Sequence, residues 1–209
     1  MYYHLILTDN CNLCCTYCRG KAFTVEPPDL PEIAVDEDLP VDLDIDLTDL
    51  YRFLAKDPEA VLTFYGGEPL LAVDRVREIA RDAPVSALIL HTNGTLLDRL
   101  DPATANRFDT ILVSIDGPEE VTDAHRGEGT FRRIMRNLRA LAAGGFSGEV
   151  IARMTVTEDT DIEEAVRYLS ANEYFSFPAV HWQMDANFWN EYEMRDYASW
   201  VEKSYNPGI

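Results

Sequence analysis

Six short apolar runs rich in β-forming residues organise this sequence: YYHLILT at residues 2–8, AVLTFY at 60–65, SALILHT at 86–92, TILVSID at 110–116, EVIARMTVT at 149–157 and AVHWQMD at 179–185. Between them, apolar residues recur at helical spacing. Leu47, Leu50, Tyr51 and Leu54 share one helical face, as do Val73, Val76, Ile79 and Ala80. Phe131, Ile134, Met135, Leu138, Leu141 and Ala142 mark a longer helix, which Gly144-Gly145 ends. TDIE at 160–163 has the form of a capping box before a helix ending near Asn172, and a last helix is predicted over 192–201. This alternation demands parallel strands joined by right-handed helical crossovers. Such a sheet curls into a partial barrel or stays open and doubly wound. Either form gathers the loops after the strands at one mouth.

Two segments stand outside the pattern. Residues 21–40 are rich in proline and acid and read as a loop or insertion, whereas VDLDID at 41–46 alternates at period two. The latter fits a short edge strand or a solvated acidic linker. No repeat and no second domain is apparent, so residues 1–209 are expected to form one domain. Apolar residues make up 46% of the chain, a globular composition. The net charge of −19, with Lys21, Lys56 and Lys203 as the only lysines, disfavours nucleic-acid and anionic-membrane partners. It also fits adaptation to high salt. No apolar run approaches the ~18 residues of a membrane span. MYYHLILT lacks the basic start and cleavage site of a secretory signal, which predicts a cytoplasmic protein with reduced thiols.

All four cysteines fall in the loop TDNCNLCCTYCRG after the first strand. Cys11, Cys15 and Cys18 form C-x3-C-x2-C, while Cys11/Cys14 and Cys15/Cys18 form two C-x2-C pairs. The pairs suggest zinc, but tetrahedral zinc sites usually join pairs from separate turns. A dithiol redox centre is a third arrangement. Packed structural thiols suit a loop containing Asp9, Asn10 and Asn12 poorly.

The C-x3-C-x2-C spacing, with Tyr17 before the last cysteine, resembles the radical S-adenosylmethionine (SAM) superfamily. So do FYGGEPLL at 64–71, HTNGTLL at 91–97 and VSIDGPEEVTDAHRGEGTF at 113–131. The resemblance implies that Cys11, Cys15 and Cys18 ligate three irons of a [4Fe–4S] cluster. The fourth iron binds the amino and carboxylate groups of SAM. Reductive cleavage then gives methionine and a 5′-deoxyadenosyl radical. Cys14 receives no ligand role. With this resemblance the expected fold is an α/β partial (β/α)6, TIM-like barrel with parallel strands.

The other cofactor-binding candidates follow from the same motifs. Gly66 and Gly67 let the backbone approach a ligand closely, and Glu68 suits the cofactor's ammonium. As plain residues they also fit a tight turn with a solvated glutamate. Asn93 follows the third strand, and Ser114 and Asp116 end the fourth as candidates for the ribose or methionyl part. Arg153 matches a family position whose planar fork suits the methionyl carboxylate. Tyr17 and Gln183 complete the set. His181, Gln183 and Asp185 alternate along the sixth strand, so they share a face. No general base is assigned, because hydrogen abstraction by a carbon radical needs none.

His125-Arg126 with Arg132, Arg133, Arg136 and Arg139 form the main basic concentration, read as a solvated helix face. His4 and His91 read as core or rim residues. Related peptide-modifying and sulfatase-maturing enzymes often carry auxiliary clusters, but no cysteine follows Cys18 here. A peptide or protein substrate and an electron donor such as ferredoxin or flavodoxin are the implied partners. A small metabolite substrate, or a noncatalytic metal or electron-transfer module, is the alternative.

Overall fold

A computed structural model describes residues 1–18, 40–185 and 197–206. Six strands form one parallel sheet: β1 (Tyr2–Ile6), β2 (Val61–Tyr65), β3 (Ala87–Thr92), β4 (Thr110–Ser114), β5 (Glu149–Val156) and β6 (Ala179–Met184). Their spatial order is β1-β2-β3-β4-β5-β6, and every neighbouring pair is parallel. A doubly wound sheet reverses its order at a switch point. Here the order never reverses, so the chain winds in one direction, as in a barrel, and the sheet remains open between β1 and β6.

The helices are α1 (Leu47–Leu54), α2 (Val73–Asp82), α3 (Pro102–Ala105), α4 (Glu119–Arg126), α5 (Thr130–Ala143), α6 (Ile162–Ser170) and α7 (Tyr197–Trp200). Alternation along the strands separates two sheet faces. One face carries Leu62, Phe64, Leu90, Ile111, Val113, Ala152 and Met154. These join Val76, Ile79, Ile134, Leu138, Ile162 and Leu169 in one buried core. Each large side chain buried there contributes about 1.5–3 kcal/mol. The opposite, inner face carries His4, Thr63, Tyr65, His91, Ser114, Arg153, His181 and Gln183, as the strand register requires.

Four local features settle, revise or extend the sequence expectations. Residues 41–46 form no strand; Thr8 and Asp42 make a single antiparallel bridge. Asp9 N–H donates to the Val41 carbonyl and Leu43 N–H to the Leu7 carbonyl, both at 2.9 Å, so this segment covers the edge beside β1. Asp46 ends it as the N-cap of α1, accepting from Thr48 N–H at 2.8 Å. The cap of α6 is Asp161, not Thr160: its carboxylate accepts from Glu164 N–H at 2.9 Å. Thr160 is buried, and its hydroxyl accepts from Thr157 N–H at 2.9 Å. Helix α4 went unpredicted because its buried face is Thr122 and Arg126, which leaves no apolar stripe. Finally, helical backbone runs past 201, as a π turn over Val201–Tyr205. Residues 192–196 of the predicted last helix lie outside the described residues, as does nearly all of the 21–40 segment. No helix among the described residues is long and apolar enough to cross a membrane.

Candidate active site

The cysteine loop leaves β1 and meets the turn after β2 through backbone hydrogen bonds. Gly67 N–H donates to the Thr8 carbonyl and Glu68 N–H to the Asn10 carbonyl, each at 2.8 Å. Gly66 holds φ at +133°, and a β-carbon on it would lie 2.4 Å from the Thr8 carbonyl oxygen. Both glycines are therefore required by the approach of the cysteine loop itself. The neighbour that requires them is the chain's own backbone.

Glu68 is fully buried. One carboxylate oxygen accepts from Leu70 N–H at 3.0 Å and the Thr92 hydroxyl at 2.8 Å, the other from Asn93 N–H at 2.7 Å. Burial raises its pKa above the usual carboxylate range, while these three donors favour the charged form. Glu68 thus ties the β2 turn to the end of β3. Asn93 continues the link: its amide donates to Asn12 Oδ1 at 2.9 Å and to Cys11 Sγ at 3.6 Å. Asn12 in turn donates to the Thr95 hydroxyl at 2.9 Å.

The far side of the loop rests on β4 and α4. Tyr17 donates its hydroxyl proton to Asp116 at 2.6 Å. Asp116 is buried and also accepts from Arg126 Nε at 2.8 Å, from its Nη2 at 3.0 Å and from Thr155 N–H at 3.0 Å. Burial opposes its charge, but the Arg126 guanidinium, with hydrogen bonds from the site's side chains, holds its pKa down to about 2. Thr16 N–H donates to the His125 carbonyl at 2.9 Å. The basic stretch of the sequence is therefore split. Arg126 is an interior ion-pair partner, whereas Arg132, Arg133, Arg136 and Arg139 lie exposed on α5.

All four cysteines are free thiols; Cys15 is half-buried and the others exposed. Burial pushes the Cys15 thiol up to about 11 against the nearby Arg126 charge, and Cys18 and Cys11 add to the rise. Among the described residues, no three His, Cys, Asp or Glu side chains converge to hold one metal ion. Four ligands on a single zinc crowd within a tetrahedron, while thiolates on separate irons of a cluster stand further apart. The loop also supplies N–H groups to sulfur: Leu13 N–H lies 3.4 Å from Cys11 Sγ. A soft, three-thiol donor set on a braced loop with such donors fits an iron–sulfur cluster.

Ser114, Arg153 and Gln183 form a second group on the inner face. Ser114 pairs in register with Arg153, and Arg153 donates to the Gln183 side-chain carbonyl. Arg153 is half-buried and makes no ion pair among the described residues. Ser114 Oγ lies 3.3 Å from His91 Nε2. Burial, then the Arg153 and Arg126 charges, lowers the His91 pKa to about 3, so the ring is neutral at physiological pH. His181 and Gln183 are exposed on this face; Asp185 follows β6 and is half-buried. Sequence reasoning had not singled out Asn12, Thr95 or the Asp116–Arg126 pair. The Pro118-Glu119-Glu120 start and the Gly127 stop of α4 were the available signal.

The comparisons with known proteins define the class to which this fold and cysteine loop belong. The profile of the Radical SAM superfamily matches residues 5–169, and the chain belongs to that superfamily. An AdoMet-dependent heme synthase from Methanosarcina barkeri is 31% identical over 180 residues, 82% of this chain and 48% of its own length. The mycofactocin maturase MftC of Mycobacterium tuberculosis is 30% identical over 158 residues, 70% of this chain and 35% of its own. In fold the chain is similar to native anSMEcpe with bound AdoMet, with a TM-score of 0.61 and 22% identity, covering 88% of this chain and 51% of that one. The chain thus spans about a third to a half of the curated relatives it matches.

Proposed function

We propose that this chain is the catalytic core of an oxygen-sensitive radical SAM enzyme acting in the cytoplasm. The observation that carries the reading is the C-x3-C-x2-C loop held on both sides, by the Gly66-Gly67-Glu68 turn and by Tyr17 on Asp116, at the end of an inner face bearing Arg153. Cys11, Cys15 and Cys18 would hold a [4Fe–4S] cluster, and Cys14 would not. When bound, that cluster supplies one electron and an open iron for SAM, whose cleavage gives methionine and a 5′-deoxyadenosyl radical.

The chain's own residues bind and orient. Arg153, a half-buried cation without a carboxylate partner among the described residues, suits the methionyl carboxylate, and displacement of Gln183 would leave that amide for a second polar contact. Ser114 suits a ribose hydroxyl, backed by neutral His91. Glu68 and Asp116 already satisfy donors of the protein, so they serve by fixing the turn and the loop. Gly66, Gly67 and Asn93 keep the thiol loop in register with the β2 and β3 ends.

A peptide or protein is the favoured substrate class, supported by likeness to the mycofactocin maturase, with a reduced ferredoxin or flavodoxin as donor. A small metabolite is the second reading, favoured by the heme synthase match over more of the chain. The test is anaerobic reconstitution, reduction in the presence of SAM, and quantification of 5′-deoxyadenosine and methionine. Production by the wild type and its loss in Cys11→Ala, Cys15→Ala and Cys18→Ala supports the reading. Zinc in place of iron, or intact SAM, overturns it.

A further inference from the structure

We propose that Asp116 and Arg126 are a charge-balanced positioning pair that fixes Tyr17 within the cysteine loop and sets the reduction potential of the cluster held there. The inference rests on the reading that Cys11, Cys15 and Cys18 hold a [4Fe–4S] cluster.

The geometry is that of a clamp. Asp116 is 0% exposed and Arg126 6%. The guanidinium grips both carboxylate oxygens, at 2.8 and 3.0 Å, and lies over the Tyr17 ring with its carbon 5.4 Å from the centroid. The tyrosine hydroxyl reaches the same carboxylate at 2.6 Å. The ring of His125 meets Tyr17 edge-on at 5.5 Å, and the His125 carbonyl holds Thr16 N–H. Thr155 N–H ties Asp116 to β5. The last turn of α4 therefore fixes the residues between Cys15 and Cys18 through backbone, ring and charge together.

Such a clamp costs a buried ion pair, which is rarely a net source of stability. Among the described residues Arg126 has no second carboxylate, and the other basic side chain beside Asp116 is His125, its Nδ1 3.7 Å away and beyond hydrogen-bond distance. The pair is thus a buried dipole with one positive and one negative end, set against Thr16 and Tyr17 between Cys15 and Cys18. Cluster potentials follow local charge and hydrogen bonding to the ligand loop. Removing the cation leaves a buried negative charge, which makes reduction harder. Removing the anion leaves a buried positive charge, which makes it easier. Removing both restores neutrality.

The experiment is a redox titration, followed by electron paramagnetic resonance, of anaerobically reconstituted full chain at about pH 8, well above ordinary carboxyl values. It compares wild type, Arg126→Met, Asp116→Asn, the double variant and Arg126→Lys, with iron per chain measured on each. Arg126→Met should disfavour reduction about tenfold and Asp116→Asn should favour it about tenfold, each ~59 mV for a one-electron couple. The double variant should return near the wild-type potential. Arg126→Lys, which keeps the charge but not the fork, should keep the potential and release iron faster. Single variants that shift together, or not at all, overturn the proposal. If a single variant fails to load iron, the double variant decides, because it buries no unpaired charge: wild-type loading and potential support the pair, and absent loading overturns it. A wild type that binds no iron defeats the cluster reading itself, whereas iron-loaded variants with unshifted potentials defeat only this inference.

Discussion

Gly67 and Asn10 pack backbone against backbone: a β-carbon on Gly67 would lie 2.2 Å from the Asn10 carbonyl oxygen. The cysteine loop and the β2 turn are thereby one unit, closed by Glu68 N–H on that same oxygen at 2.8 Å. A side chain at Gly67 must push the loop away. Gly67→Ala should cost about 1–3 kcal/mol, the usual scale of overpacking. It should also lower iron retained after reconstitution. Thermal melts of the apo chain and iron analysis check both effects.

Glu68 satisfies three buried donors, two of them backbone N–H groups. Glu68→Gln keeps the shape but turns an NH2 toward at least one of those donors. An unmet buried donor costs about 1–3 kcal/mol. Urea unfolding should register a loss of that size for Glu68→Gln, and a similar or larger one for Glu68→Ala. A neutral result would mean that the carboxylate serves a ligand and not the turn.

Among the described residues Arg153 makes its hydrogen bond to Gln183 and none to the cysteine loop, so its loss should separate cofactor binding from cluster binding. Arg153→Ala should weaken SAM binding by about tenfold or more, the cost of one charge-assisted contact. Iron content should stay at the wild-type value. Equilibrium binding of SAM to the reconstituted protein measures the first, and iron analysis the second.

Asp116 gives a pH signature. Its pKa falls from an ordinary aspartate value to about 2 on folding. A depressed carboxyl stabilises the fold above its unfolded pKa and loses that contribution as pH falls through the folded value. The stability advantage of the wild type over Asp116→Asn should therefore shrink by about 2 kcal/mol between about pH 5 and pH 2, with the small remainder lost below that. Denaturant unfolding at a series of pH values reads this directly. A gap that is constant with pH would contradict the buried ion pair.

The strands and most helices were legible because their buried faces are apolar and periodic; Leu62 and Phe64, or Ile134 and Leu138, announce a period of two or of 3.6. One-way winding was not legible, since strand order is set by long-range pairing and the same alternation serves a doubly wound sheet. Helix α4 was hidden because it turns Thr122 and Arg126 inward. Within the site, the family resemblance marked Cys11, Cys15 and Cys18 as candidate ligands and picked out the Gly-Gly-Glu turn. It did not show that the two glycines admit the Thr8–Asn10 backbone, or that Arg126 leaves the basic stretch to pair with Asp116. The first contact crosses dozens of residues, and the second needs α4 folded back on the end of β4, so both follow only from the assembled fold.

The most direct measurement is the electron paramagnetic resonance spectrum of the reduced, reconstituted chain with and without SAM, on wild type and Cys14→Ala. A cluster with three protein ligands and an open iron predicts a [4Fe–4S] signal in both proteins that changes when SAM is added. A spectrum indifferent to SAM, or a signal abolished by Cys14→Ala, would contradict the account.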